Sequence, residues 1–257
     1  MAFSFQPERD LMPDLMPPAD RLAVALDVPS ADRAVELAEC LSGKVGVLKV
    51  GLELFCAEGP NIVRELQKFA PVFLDLKLHD IPTTVVRALN AVLGLNPLLI
   101  NVHALGGLDM MKEASELVRK HRQNGGRTHL LAVTILTSMD KRALEQLNLT
   151  GEPSEMVLRL AHLAKRAGCD GVVCSAQESA SLRAECGSEF LLLTPGIRPR
   201  GAETQDQVRV VTPYEAIKSG SNWIVVGRPI THAQDPATAA EAIILEMTGA
   251  GNHNGSI

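Results

Sequence analysis

The sequence predicts an α/β fold, a single-domain (β/α)8 TIM barrel. Three observations carry the prediction. Short apolar runs alternate with segments of helical period from Arg21 onward, and the alternation repeats eight times. The apolar runs are continuous, as parallel strands buried on both faces should be. Polar and glycine residues collect at the C-terminal ends of the runs, where this architecture places its chemistry. A doubly wound open sheet is the alternative, but no G-x-G-x-x-G follows the first run.

The units are taken in order. Residues 1–20 hold four prolines and no clean period, and are expected to form an N-terminal arm with one helical turn near Gln6 to Leu11. Arg21–Val28 reads as the first strand and Ala31–Leu41 as its helix. Val45–Leu52 and the helix Gly59–Phe69 follow. Val72 begins the third strand, with a helix from Pro82 to Leu95. Leu98–Ala104 and His129–Leu136 are strands four and five, each followed by a helix, Leu108–Asn124 and Ser154–Ala167. A loop holding Leu144–Leu149 is expected between His129–Leu136 and Ser154–Ala167. Gly171–Ser175 with Gln177–Glu185, Phe190–Pro195 with Pro213–Lys218, and Trp223–Gly227 with Pro236–Thr248 complete eight units. The catalytic domain is thus expected to span residues 21–248, with a flexible tail over 249–257.

Composition narrows the class. The chain has 257 residues, 46% hydrophobic and 21% charged, which suits one globular domain with a full core. The net charge of −5 and the lack of a long basic run argue against nucleic-acid or membrane-surface partners. No apolar run approaches the roughly 18 residues of a membrane span. Cys40, Cys56, Cys169, Cys174 and Cys186 are odd in number and lack C-x-x-C spacing, so they are expected to be buried free thiols in a reducing compartment rather than zinc ligands. No charged n-region precedes an apolar h-region, so a cytoplasmic location is expected.

The third strand, V-F-L-D-L-K-L-H-D-I-P-T-T from Val72 to Thr84, is the unusual one. Side chains alternate faces along a strand, so Asp75 and Lys77 point the same way about 7 Å apart. Ionised groups are seldom buried unless paired, so this run is either a structural salt bridge or a working site. Elsewhere, Asp27 ends strand one, Lys49 sits in strand two, Asn101 and His103 end strand four, and Thr137-Ser138 end strand five. Asn101 and His103 each read as a hydrogen-bonded core residue when taken singly. Strands seven and eight end in Gly196 to Arg198 and Gly227-Arg228, the usual place for a phosphate in such a barrel. The segment Arg198 to Thr212 has little period and is expected to be a lid, with Gln207 able to donate an amide hydrogen bond. Lys49, Asp75, Lys77 and Asp80 alternate in sign, and an ammonium fixed in a dry pocket can stabilise a carbanion and protonate it. The lysines beside the carboxylates weaken any metal reading, and no G-x-S-x-G nucleophile elbow occurs.

The motif D-x-K-x-x-D-I-P-x-T (Asp75, Lys77, Asp80, Ile81, Pro82, Thr84) resembles that of the orotidine 5′-phosphate decarboxylase family. Further matching segments are Ala25–Asp27, Lys49–Gly51, His103–Ala104, Leu136–Ser138, Pro195–Pro199, Asp206-Gln207 and Gly227–Thr231. They span residues 21 to about 245, with the spacing of the bacterial form. The resemblance implies cofactor-free conversion of orotidine 5′-monophosphate to UMP and CO2, in pyrimidine nucleotide synthesis. It implies a homodimer with shared active sites, in which Lys49, Asp75 and Lys77 of one chain meet Asp80 of the other. Ile81 and Thr84 then serve the neighbour's site as well, and Lys77 protonates C6. Asp27 and Lys49 contact the ribose, Thr137 or Ser138 the pyrimidine, and Arg198, Gln207, Gly227 and Arg228 belong with the phosphate. Thr83 fills the variable position of the motif. Met139 is followed by Asp140 where some relatives have Ser, which leaves the choice between Thr137 and Ser138 open. Two alternatives stand: a Mg2+-dependent sugar-phosphate decarboxylase or synthase sharing D-x-K-x-x-D, and a noncatalytic phosphate-ligand sensor.

Overall fold

A computed structural model describes residues 16–199 and 211–249. Eight parallel strands pair in sequence order and close on themselves, β1 with β8. They are β1 Leu22–Ala25, β2 Val47–Val50, β3 Val72–Leu78, β4 Leu99–His103, β5 His129–Val133, β6 Gly171–Val173, β7 Leu191–Thr194 and β8 Trp223–Val226. Every strand residue up to Leu74 of β3 is buried, and so are β5 to β8 throughout. This is why the runs carry no polar alternation: both faces are covered.

The two faces form separate cores. Leu22, Val24, Leu48, Leu74, Ile100 and Leu130 pack outward against the helices. Ala23, Ala25, Val47, Phe73, Leu99, Leu131, Leu193 and Trp223 fill the barrel. With a side-chain period of two, the inward positions climb toward the C-terminal end as Ala25 to Asp27, Val47 to Lys49, Phe73 to Asp75 and Leu99 to Asn101. The barrel is therefore plugged by apolar side chains below and carries polar groups above. Trp223, fully buried, closes the lower end, and its indole N–H donates to the carbonyl of Asp20.

The helices start and stop on local chemistry. Ser30 caps Ala31–Leu41 by accepting from the Arg33 N–H. Pro82 opens Pro82–Leu93 at a position that needs no N–H, and Thr212 and Glu215 form a reciprocal capping box on Pro213–Lys218. Arg183 binds together several loops at the β7 and β8 entrances. It donates to the carbonyls of Gly187, Ser188, Phe190 and Gly220 and to Asn222 Oδ1.

Several expectations are corrected. The strands end sooner than the apolar runs do, because residues such as Asp27 and Gly227 lie beyond the last ladder pairs. The helix expected over Gly59–Phe69 covers only Asn61–Leu66, and an unexpected helix, Leu52–Glu58, precedes it, the two divided by Gly59, whose φ of 67° suits glycine. The expected loop contains the helix Lys141–Gln146, capped by Asp140, whose side chain accepts from the Ala143 N–H. Arg228–Thr231 is a further helical turn. Of the five cysteines, all unpaired, only Cys169, Cys174 and Cys186 are buried; Cys40 and Cys56 lie on the solvent sides of their helices. The expected turn at Gln6 to Leu11, Gln207, most of the expected lid and all but the first residue of the expected tail lie outside the described residues.

Candidate active site

A cavity of about 500 Å3 opens at the C-terminal end of the barrel. Its floor is apolar, from Ala25, Phe73, Ile135, Val173, Leu193 and Val225. Asp27, Lys49, Asp75 and Lys77 line one side, and Thr137, Ser138, Arg198, Gly227 and Arg228 also contribute to its wall.

The charged side is continuous. Lys49, on β2, is 7% exposed; its Nζ donates to Asp27 Oδ1 at 2.8 Å and lies 3.6 Å from Asp75 Oδ2. Lys77 Nζ donates to Asp75 Oδ1 at 2.7 Å. The order Asp27–Lys49–Asp75–Lys77 thus alternates in sign from an exposed carboxylate to a buried one and back toward the cavity mouth. Gly51 makes room for it. A Cβ on Gly51 would sit 2.8 Å from both Asp27 Oδ1 and Lys49 Nζ, so any side chain there would force the ends of the pair to shift.

Simple strand alternation does not hold through this stretch. Leu74 pairs with Ile100 but Leu78 pairs with Val102, so four steps along β3 match two along β4. The extra residues form a bulge, and Lys77 takes a φ of +49°, rare for a residue with a Cβ. Lys77 reaches back along the strand, so that its Nζ is in direct contact with Asp75 Oδ1. Its N–H, out of the ladder, donates to Asn101 Oδ1 at 2.7 Å, and Asn101 Nδ2 donates to Asp75 Oδ1 at 2.7 Å.

Two acidic side chains of the barrel are depressed by cationic partners, and their positions differ. Burial pushes the Asp75 carboxyl up, but Lys49, Lys77 and the hydrogen bonds from Lys77 and Asn101 outweigh it and hold it below the usual carboxylate range. Asp170, half-buried, is also depressed: burial pushes it up, but His129 and Arg122 outweigh that. It precedes β6 at the closed end of the barrel, where Arg122 grips both oxygens at 2.7 and 2.9 Å and the Leu130 N–H donates at 2.7 Å. That pair faces no cavity residue and serves the fold. Asp75 faces two ammonium groups across a cavity wall.

His103, at the end of β4, stacks on His79 with centroids 5.4 Å apart, and its Nδ1 accepts from the Leu105 N–H. Burial, then His79 and Lys77, push its pKa from 6.5 down to about 4. The folded chain therefore takes up this proton later than the unfolded chain does. The stabilising contribution is complete above about pH 6.5 and is lost as pH falls toward about 4. His103→Asn should flatten the decline of Tm over that window; an unchanged slope in thermal melts would refute the assignment.

Asp80, Ile81 and Thr84 do not join the charged side in this chain. None of them lines the cavity. Asp80 and Thr84 are exposed, Asp80 Oδ1 accepts from the Ile81 N–H at 2.7 Å, and Ile81 is 65% exposed. The sequence reading overlooked Leu52 and Glu53, which line the cavity mouth because a helix starts directly after β2. It also overlooked the linking role of Asn101; a fully buried amide two residues from a strand end was the available signal. Among the described residues, no group of three or more His, Cys, Asp or Glu is placed to hold a metal ion, and no helix is long and apolar enough to cross a membrane.

The chain is similar to known proteins in sequence and in fold. A family model described as "Orotidine 5'-phosphate decarboxylase / HUMPS family" matches residues 20–243. The orotidine 5′-phosphate decarboxylase of Nitrosococcus oceani is 51% identical over 230 residues, covering 89% of this chain and 97% of the relative. That of Trichlorobacter lovleyi is 49% identical over 229 residues, covering 89% and 95%. The crystal structure of orotidine 5′-phosphate decarboxylase from Lactobacillus acidophilus superposes with a TM-score of 0.78 at 40% identity, covering 88% of this chain and 98% of that one.

Proposed function

The chain belongs to the orotidine 5′-phosphate decarboxylase / HUMPS family, and from that premise we propose how it works on orotidine 5′-monophosphate. It is an enzyme of pyrimidine biosynthesis, a carboxy-lyase yielding UMP and CO2. Identities near 50% over most of the chain to bacterial decarboxylases favour this over the sugar-phosphate branch. The observation that carries the mechanism is the Asp27–Lys49–Asp75–Lys77 relay along one wall of a cavity that also holds Arg198, Gly227 and Arg228.

When the C6–carboxylate bond breaks, CO2 departs and the electron pair remains on C6 in the ring plane, where delocalisation is slight. Lys77, its ammonium hydrogen-bonded to Asp75, stabilises that charge and then transfers a proton from Nζ to C6. The product is UMP, and Lys77 recovers its proton from solvent. Each 1.36 kcal/mol of such stabilisation is worth about tenfold in rate. Asp27 and Lys49 hold the ribose hydroxyls, and Thr137 and Ser138 lie on the wall that meets the pyrimidine. Arg198, Gly227 and Arg228, with Gln207, take the phosphate: arginine forks and an unobstructed glycine backbone suit a dianion. Phosphate binding, remote from the bond that breaks, is spent on excluding water and orienting the ring.

The enzyme acts as a homodimer in which Asp80, Ile81 and Thr84 complete the neighbour's site. An exposed carboxylate followed by a 65% exposed isoleucine, beside but outside the cavity, supports that reading. It requires no cofactor and works in the cytoplasm, where unpaired thiols persist. The test is the loss of absorbance of orotidine 5′-monophosphate with and without a chelator. Turnover unaffected by the chelator is expected. Abolition by the chelator would favour the metal-dependent branch, and nucleotide binding without turnover would favour a sensor.

A further inference from the structure

We propose that Asn101 is a positioning residue for the decarboxylation, whose side-chain amide fixes the Lys77 backbone and the Asp75 carboxylate at the same time. The inference rests on the function proposed above.

The need for such a residue arises from the bulge in β3. A lysine with φ +49° lies outside the conformations a side chain usually allows, and its N–H points away from the ladder. A buried backbone N–H requires a partner. Asn101, 0% exposed on the adjacent strand, supplies its Oδ1 at 2.7 Å. The same amide turns its Nδ2 to Asp75 Oδ1 at 2.7 Å. Only one orientation of the amide meets both demands, since a flip would set an NH2 against an N–H and a carbonyl against a carboxylate. Asn101 thus couples two settings. It holds the backbone from which the Lys77 ammonium reaches the cavity, and it holds the carboxylate that Lys77 and Lys49 share.

Few side chains can do this. Aspartate keeps the acceptor for the Lys77 N–H but replaces the donor with a second negative charge beside Asp75. Alanine leaves the N–H of the bulge and one lone pair of Asp75 without their partner. Glutamine is one methylene too long for a strand already paired to both neighbours, Leu99 to Phe73 on one side and Asn101 to Leu131 on the other. Asn101 contributes no atom to the wall of the cavity, so its effect on the reaction passes through Lys77 and Asp75.

The experiment compares Asn101→Ala and Asn101→Asp with the unaltered full-length chain. The readouts are kcat and KM for orotidine 5′-monophosphate, the Kd for UMP and the thermal unfolding curve. The expected result is a kcat lower by on the order of 10–100-fold, the equivalent of one charge-assisted hydrogen bond. KM and the UMP Kd should stay within about threefold, because ground-state binding uses other residues. A kcat within about threefold of the unaltered chain in either folded variant would overturn the proposal. So would a loss confined to KM, a loss that tracks the folded fraction, or failure of both variants to fold, each of which assigns Asn101 a merely structural part. If the unaltered chain does not decarboxylate the nucleotide, the proposed function itself fails. If it does and the variants match it, only the role of Asn101 fails.

Discussion

Asp75→Asn should lower kcat by on the order of 10^2–10^4, about 3–5 kcal/mol of transition-state stabilisation, while the barrel stays folded. The size follows from what the carboxylate joins. One oxygen accepts from Lys77 and Asn101, and the other lies 3.6 Å from the Lys49 ammonium. Removing its charge leaves two lysines near each other with no anion between them, so their mutual repulsion is no longer offset. Lys77 then loses the partner that orients its ammonium at the moment it must protonate C6. The fold should survive because asparagine has the same shape, Lys49 keeps its bond to Asp27, and the barrel's apolar cores are untouched. Some loss of Tm is expected from the broken buried network. The comparison is kcat from absorbance loss beside circular dichroism and a melt of the same sample. Turnover near that of the unaltered chain would sink the mechanism, whatever the melt shows.

The same residues mark where sequence reasoning reached and where it stopped. The barrel was legible because burial on both faces makes the strands predominantly apolar, leaving eight apolar runs separated by helices. Pro213–Lys218 and Ala31–Leu41 were readable to the residue because their caps are local: Thr212 with Glu215, Ser30 with Arg33. Leu52–Glu58 was not, since seven residues span only two turns and follow directly on the apolar run of β2, so no helical period could emerge. Lys141–Gln146 is shorter still. At the candidate site, the types and order of Asp27, Lys49, Asp75 and Lys77 were visible as charges at strand ends. The bulge was not. It requires a left-handed lysine, a conformation no residue preference encodes, and it is sustained by a tertiary partner, Asn101, 24 residues away in the chain.

The second large effect concerns Asp80, and it should appear only between chains. Asp80→Asn alone and Lys77→Ala alone should each be nearly inactive, since each removes one charge from the proposed tetrad of every site. Mixed and allowed to exchange subunits, they should regain activity. In a hybrid dimer, the subunit bearing Asp80→Asn still offers an intact Lys77, and its partner offers an intact Asp80, so one of the two sites is whole. Random exchange makes about half of the dimers hybrids, which sets the recovered activity near one quarter of that of the unaltered enzyme. The geometry within one chain argues for this division. The loop after β3 leaves Asp80 exposed, accepting from the N–H of the next residue, and absent from the cavity that Lys77 lines. An exposed carboxylate is strongly screened and adds little to a site in its own chain. Brought against another subunit with Ile81 burying its apolar surface beside it, the same carboxylate enters a drier environment in which its charge counts. Mixtures that stay as inactive as the separate variants, under conditions where light scattering or labelled subunits demonstrate exchange, would return Asp80 to its own chain and remove the shared site from the mechanism.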